Sequence, residues 1–246
     1  MILSTFTIVC SNQARNGKTL LGSLYGDYLI HTGRDVWVFD LDGPGGNIAS
    51  NFAGRSSIID LSQTRNVMEL FDTVVSTPPG NYVVDLPHHQ VDRFLALIDD
   101  IGFVETAERA GIAITVLFLC DFSFASIVSA RTIRSHFSDA SFIIVRNEGI
   151  PGPKMDAELA WAFDGFSKSG FFVIPRMVSS TLECMVNKTY TFGAFLDAKT
   201  PATQREKYYT AHVFFTTIRK EFEQLEANLD LDNFKRDLDR WKSSAV

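Results

Sequence analysis

The chain has 246 residues, of which 46% are apolar, and a formal net charge of −6. This length and apolar content allow a sizeable buried core and exclude a disordered or fibrous protein, while the negative charge excludes a surface that is basic overall. No apolar stretch reaches the roughly 20 residues of a membrane-spanning helix, and the first ten residues lack the basic region and cleavage site of a signal peptide, so we expect a cytoplasmic protein.

Apolar, β-branched runs alternate with segments of helical period along most of the chain. The predicted strands are residues 2–10, 35–41, 81–86, 112–120, 141–145 and 171–174. The predicted helices are residues 18–31, 90–100, 124–137 and 155–166. This alternation predicts an α/β fold with a doubly wound, mostly parallel sheet and helices on both faces. Short turns join the elements, so we expect a single domain over residues 1–246.

The C-terminal part, about residues 201–243, is predicted to be helical with a break near residues 228–230. Its apolar residues recur at three- and four-residue steps, which is typical of a helix that packs on the body of the protein or on a partner. Acidic residues are interspersed with basic ones, which argues against a membrane-surface helix. The chain has an odd number of cysteines, Cys10, Cys120 and Cys184, which lie far apart in the sequence. They are therefore expected to be reduced core residues.

A candidate phosphate-binding loop, SNQARNGKTLL, follows the first predicted strand and opens the first helix. It ends in Gly17, Lys18 and Thr19, where helix-start amides would meet phosphate oxygens, the lysine would reach the terminal phosphates and the threonine hydroxyl would join a Mg²⁺ shell. The strict pattern has glycine five residues before Gly17, where this chain has Asn12. Asparagine tolerates left-handed backbone, so the loop can still form.

Acidic residues end the next two strands of the sequence. Asp40 and Asp42 lie in FDLDGPGGN, and Asp85 ends NYVVD. A single aspartate at such a position is more often a turn former, but together with the loop these acids predict a site for Mg²⁺ and an attacking water. His88 and His89 follow Asp85 and are as compatible with a solvated loop as with a γ-phosphate sensor.

The series GKT, VFDLDGPGGN, VVDLP, SFIIVRNEG and VIPR resembles the ParA/MinD family of deviant Walker A ATPases of the P-loop NTPase type, over essentially the whole chain. The resemblance implies that Lys18 and Asp42 are catalytic and that Thr19, Asp42 and Asp85 serve the metal. It implies a nucleotide site made of Arg15, Asn16, Gly17, Lys18, Thr19, Leu20, Arg146, Asn147, Pro175 and Arg176. Asn147 matches the strand-end asparagine near the adenine, and Pro175 with Arg176 matches a loop on the other side of the base.

The loop departs from the family pattern KGGxGK[ST]. Gln13, Ala14 and Arg15 replace its first three residues, so both early glycines and the signature lysine that reaches a partner's nucleotide are absent. Arg15 is the nearest cation, but a guanidinium is not interchangeable with an ammonium. The sequence therefore predicts slow ATP hydrolysis, or binding with little turnover.

The resemblance implies an ATP- and Mg²⁺-dependent switch that forms a nucleotide-dependent homodimer and acts, with a partner protein, in plasmid or chromosome partition or in positioning a cell component. Non-specific DNA is an alternative platform, and membrane is not expected. Two other functions stay open. One is an inactive P-loop scaffold that serves as a protein-binding module. The other is an ATP-dependent ligase-type enzyme, for which the sequence offers no convincing set of substrate-binding polar groups.

Overall fold

A single parallel sheet organises the described part of the chain. The computed structural model describes residues 4–43, 48–76, 80–137, 140–152, 171–178, 193 and 205–244. Within them the strands are β1 (Ser4–Cys10), β2 (Val36–Asp40), β3 (Ser56–Ile58), β4 (Asn81–Asp85), β5 (Ile112–Leu119), β6 (Ser141–Asn147) and β7 (Phe171–Ile174). The helices are α1 (Lys18–His31), α2 (Ile48–Asn51), α3 (Thr64–Ser76), α4 (Val91–Asp100), α5 (Phe103–Arg109), α6 (Phe124–His136) and α7 (Arg205–Ser244).

The strand order is β3-β2-β4-β1-β5-β6-β7, and every pairing is parallel. β1 lies in the middle, between β4 and β5. Since parallel strands end at the same edge of a sheet, the loops that follow β1, β2, β4, β5 and β6 meet there. In register, Asp85 pairs with Val9 on one side and with Asp40 on the other. The candidate acids are therefore brought to the loop after β1.

Helices cover both faces of the sheet. One core cluster packs residues of α3 to α6 against one face, with the fully buried Phe6, Phe94 and Phe118 among its members. The other joins α1, α2 and α7 to the opposite face, around Leu24 and Phe222. Burial on both faces explains why the strands are continuous apolar runs. The predicted fold class is confirmed.

Several elements agree closely with the sequence prediction. The first helix has the predicted bounds, and the helices predicted at residues 90–100 and 124–137 differ from α4 and α6 by one residue. The sequence missed β3, α2, α3 and α5. β3 has only three residues, SSI, each half-buried or exposed, and so carries no apolar run. The helix predicted at residues 155–166 lies outside the described residues.

α7 is one continuous helix of 40 residues, and the predicted break near residues 228–230 is wrong. Neither proline nor glycine occurs between positions 205 and 244, so nothing interrupts the backbone hydrogen bonds. Leu225 and Leu229 are both buried and carry the packing across the expected break. An ion pair also ties the helix to the body, because Arg34 contacts the Glu226 carboxylate through both terminal nitrogens, one of them at 2.5 Å.

Cys10 and Cys120 are free and buried, as expected from the sequence. Burial raises the pKa of the Cys10 thiol to about 12. Cys184 lies outside the described residues. None of the described helices combines the length and apolar character needed to cross a bilayer.

Candidate functional site

The loop between β1 and α1 has an unusual backbone. Arg15 and Gly17 both have positive φ angles, 58° and 97°, on either side of the buried Asn16. Gly17 is the N-cap residue of α1, and no acidic residue occupies the first turn of that helix. The start of a helix carries partial positive charge from its amide groups, so this end of α1 is suited to an anion such as phosphate.

Lys18 lies inside the loop and is only 8% exposed. Its ammonium donates to the backbone carbonyl of Gln13 at 2.7 Å and approaches the Asn16 side-chain oxygen at 3.4 Å. Burial lowers the pKa of Lys18, and the nearby carboxylates of Asp85 and Asp42, with the thiol of Cys10, act in the opposite direction. A buried cation held by two neutral oxygens is well placed to bind a negatively charged oxygen instead.

Thr19 and Asp85 form the acidic side of the site. The Thr19 hydroxyl donates to the Asp85 carboxylate at 2.7 Å. Burial raises the pKa of Asp85 to about 6, and the neighbouring Asp40 acts in the same direction, while the Thr19 hydrogen bond and Lys18 oppose it. A hydroxyl and a buried carboxylate are oxygen ligands of the kind that Mg²⁺ prefers, directly or through water. These two residues therefore fit a magnesium ion.

Asp40 and Asp42 have different surroundings although they are two residues apart. Asp40 is fully buried, and its carboxylate accepts hydrogen bonds from the backbone amides of Asp42 at 3.1 Å and Ala49 at 3.2 Å. It thereby fixes the backbone at these two positions. Asp42 is exposed at the same sheet edge. Of the two acids, Asp42 is the one available to a ligand or a water molecule.

Asn147, at the end of β6, joins the loop to a neighbouring cleft. Its side-chain nitrogen donates to the Asn16 carbonyl at 3.2 Å, and its side-chain oxygen accepts from the Gly149 amide at 2.9 Å. The cleft is shallow and open to solvent, and both asparagines line it with Phe122 and Arg146. The Arg146 guanidinium lies 5.7 Å from the centre of the Phe122 ring. A planar group and a cation at the cleft wall suit a flat, partly polar ligand.

Asp121 was missed by the sequence prediction, and Ser11 and Gln13 were placed in the loop without a role of their own. Ser11 accepts from the Asn16 side-chain amide and from the Gln13 backbone amide. Gln13 also donates its side-chain amide to Asp121 at 2.7 Å, which links the loop to the end of β5. Asp121 directly follows an apolar strand, the same pattern that identified Asp85, so it could have been found.

The remaining predicted residues lie around this centre. Arg15 is exposed, and Leu20 is half-buried against the core cluster of α1 and α7. Pro175 and Arg176 directly follow β7 at the same sheet edge, but they do not line the cleft. The exposed His88 and His89 form a short 3₁₀ turn after Asp85. In the described part of the chain, no group of three His, Cys, Asp or Glu residues could by itself hold a metal.

The chain matches no protein-family model, and no curated protein matches it. Among solved structures it is similar to a nucleotide-binding protein from Archaeoglobus fulgidus in complex with ADP, with 14% identity, 74% of this chain and 84% of that chain covered, and a TM-score of 0.48. It is also similar to a chain of the MinC:MinD cell division protein complex from Aquifex aeolicus, with 16% identity, coverage of 87% and 96%, and a TM-score of 0.48. A MinD cell division protein from Aquifex aeolicus has 18% identity, coverage of 87% and 97%, and a TM-score of 0.45.

The fold itself follows from the topology. A central parallel strand leads through a loop ending in Gly17, Lys18 and Thr19 into a helix on one face of the sheet. An acid at the end of the adjacent β4 contacts that threonine. This arrangement is an α/β fold of the P-loop NTPase type.

Proposed function

We propose that this protein is an ATP-binding switch of the ParA/MinD type that binds the nucleotide with Mg²⁺ in the loop between β1 and α1. One observation carries the proposal: Lys18, Thr19 and Asp85 converge at the start of α1, where the buried lysine donates to the neutral oxygens of Gln13 and Asn16. Side chains that served only the fold would not need a buried ammonium beside a buried acid, because burying charge is costly.

Each residue has a defined part in this proposal. The first amides of α1 and the Lys18 ammonium bind the phosphate oxygens, and Lys18 then exchanges the Gln13 carbonyl for an anionic partner. Thr19 and Asp85 hold Mg²⁺, which offsets phosphate charge when bound. Asp42, exposed at the same edge, orients an attacking water. The cleft beside Asn147 receives the base.

The biological part of the proposal follows the family resemblance. ATP favours a sandwich dimer in which the two nucleotide loops meet, and loss of the nucleotide dissolves that contact, so that a partner protein binds the two states differently. Partition of a plasmid or chromosome, or placement of a cell component, is the corresponding function. Arg15 is exposed beside the loop and is the candidate to replace the absent signature lysine across the dimer.

Calorimetry with ATP and Mg²⁺ tests the site directly. Wild-type protein is expected to bind, and Lys18→Ala to bind at least about 100-fold more weakly, because a charge-assisted contact to phosphate is lost from a buried site. Lys220→Ala, which removes an exposed lysine on α7, is the matched control and is expected to bind as wild type. Equal affinity in wild type and Lys18→Ala would reject the site.

A second candidate function is a P-loop scaffold that binds a partner protein without turnover. It is favoured by the loop itself, where Gln13 and Ala14 stand in place of the family's first two loop residues. Phosphate release from saturating ATP separates the two functions. Turnover that requires Asp42 supports the switch, whereas tight binding with no release supports the scaffold.

A further inference from the structure

The distal part of α7 carries an exposed apolar stripe. Leu231, Phe234, Leu238 and Trp241, which we call the distal stripe, are 51%, 65%, 39% and 68% exposed. Isolated apolar residues on a surface are ordinary, but four large ones in line on one rigid helix mark an interaction site.

The distal stripe lies on the side of α7 that faces away from the body. Its 3-4-3 spacing places its members on one helical face, at about 100° per residue. The body-facing side is marked by the buried Leu229 and by Arg236, whose guanidinium donates to the Ser141 hydroxyl at 2.6 Å. These positions lie roughly half a turn around the helix from the stripe. As far as the described residues are concerned, a second helix can therefore approach the stripe without displacing the body.

The spacing of the stripe is that of two heptads. Leu231 and Leu238 occupy the a positions, and Phe234 and Trp241 the d positions, of a coiled-coil repeat. α7 needs no partner to become helical here, because it is continuous with the segment that packs on the sheet through Phe222 and Leu225. The entropy cost of forming a short helix is therefore already offset by the packing of α7 on the sheet.

Charges beside the stripe distinguish between possible occupants. Asp230 occupies the g position and Lys235 the following e position, and the sequence repeats this order with Asp at 237 and Lys at 242. In a parallel pair of helices, each g position faces the e position five residues on in the partner, so Asp230 would face Lys235 of the second copy. In an antiparallel pair e faces e and g faces g, which sets like charges together. An anionic membrane would face the acidic positions as well as the basic ones, which is unfavourable.

We propose that the distal stripe pairs in parallel with the same stripe of a second copy of this chain, as a two-heptad coiled coil flanked by Asp230–Lys235 pairs between the copies. Lys235 also lies 3.9 Å from Asp232 on its own helix, a marginal contact that leaves its side chain 53% exposed. The pairing requires no nucleotide and goes beyond the proposed switch. It would hold two copies near each other before ATP joins their loops.

Sedimentation of the nucleotide-free protein over a range of concentrations is the first test. Wild type is expected to dimerise reversibly. Phe234→Glu is expected to weaken the dimer at least about tenfold, because burial of one phenylalanine side chain is worth about that factor or more. Gln63→Glu makes the same change of charge at an exposed position before α3, away from α7, and is expected to dimerise as wild type. A wild-type monomer at all concentrations, or a dimer that survives Phe234→Glu, would overturn the proposal.

Charge reversal tests the flanking pairs. Asp230→Lys and Lys235→Asp should each weaken the dimer, and the two changes together should restore most of the lost affinity, since opposite charges again face each other. Failure of the double variant to exceed either single variant rejects the parallel register. Circular dichroism confirms that each variant keeps its helix.

Cysteine cross-linking determines the orientation. In a Cys184→Ser background, Leu231→Cys should form a disulfide-linked dimer, because equal a positions lie opposite each other in a parallel pair. A cross-link that forms only when Leu231→Cys and Trp241→Cys chains are mixed would show an antiparallel pair and overturn the proposal. If the protein stays monomeric and binds anionic vesicles in a way that depends on Phe234, the partner of the stripe is a membrane and the proposal is likewise overturned.

Discussion

Asn147 donates its side-chain amide to the backbone carbonyl of Asn16 at 3.2 Å, and so fastens the end of β6 to the loop that precedes α1. The same nitrogen lies so close to Gly17 that an added Cβ would be 2.4 Å from it. The candidate base cleft and the candidate phosphate loop are thus in direct contact through Asn147. A change on either side is expected to affect both.

Gly17→Ala is expected to destabilise the protein more than the same substitution at a glycine that has a positive φ but free space around it. A methyl group at φ 97° meets the Asn147 nitrogen in addition to the backbone strain of about 1–2 kcal/mol. Gly33→Ala is the matched control, because Gly33 has φ 79° and nothing within 4 Å of its Cβ position. Urea unfolding should show a loss at least about 1 kcal/mol larger for Gly17→Ala, on the scale of an overpacked contact. Equal losses would mean that the close approach to Asn147 does not matter.

Asn147→Ala is expected to lower the free energy of unfolding by about 1–2 kcal/mol, because the Asn16 carbonyl and the Gly149 amide both lose a partner. Hydrogen exchange at Gly149 should become faster. Asn147→Asp separates the two contacts, since it keeps an acceptor for Gly149 but has no amide for Asn16. Fast exchange at Gly149 in the aspartate variant would contradict the assigned hydrogen bonds.

Asp85→Asn should change how stability depends on pH. Burial raises the pKa of Asp85 to about 6, whereas an exposed aspartate has a pKa of about 3.9. The folded protein binds this proton more tightly than the unfolded chain does. Asp85 therefore adds to the free energy of unfolding below about pH 4, and this contribution is lost as the pH rises through about 6. The neutral asparagine has no such loss.

The free energy of unfolding of Asp85→Asn, relative to wild type, should therefore rise by about 2–3 kcal/mol between pH 4 and pH 7. Denaturant titrations at several pH values measure this difference. Asp40 also has a raised pKa through burial, but it is present in both proteins and cancels to first order. Parallel pH profiles would show that Asp85 titrates normally in the folded state.

Phe222→Ala should detach α7 from the sheet. Phe222 is fully buried, with ring centres 4.8 Å from Phe172 and 5.2 Å from Tyr28. Loss of a buried phenylalanine costs about 3–5 kcal/mol. Val213→Ala on the same helix, at a position that is 47% exposed, should change stability by no more than about 0.5 kcal/mol. Chemical unfolding that gives similar values for the two variants would mean that α7 packs elsewhere.

The sequence correctly located the features that depend on neighbouring residues. The bounds of α1 and the placement of Gly17, Lys18 and Thr19 at the start of that helix, after a strand, follow from local periodicity and turn chemistry. The missed strand β3 shows the limit of this approach. Its three residues carry no periodic pattern and join the sheet only because β2 offers a free edge.

Only the tertiary structure decided which of the candidate residues act together. Asp40 and Asp42 look equivalent in the sequence, but packing buries the first and makes it an acceptor for backbone amides. Asn147 and Asn16 are 131 positions apart, and their contact exists because β6 follows β5 beside β1 in the sheet. Strand order and burial depend on how all the residues of both core clusters pack together. A short stretch of sequence does not show these contacts between distant residues. The chain alone therefore predicted a fold class and a phosphate loop, and the packing of distant elements determined the geometry around it.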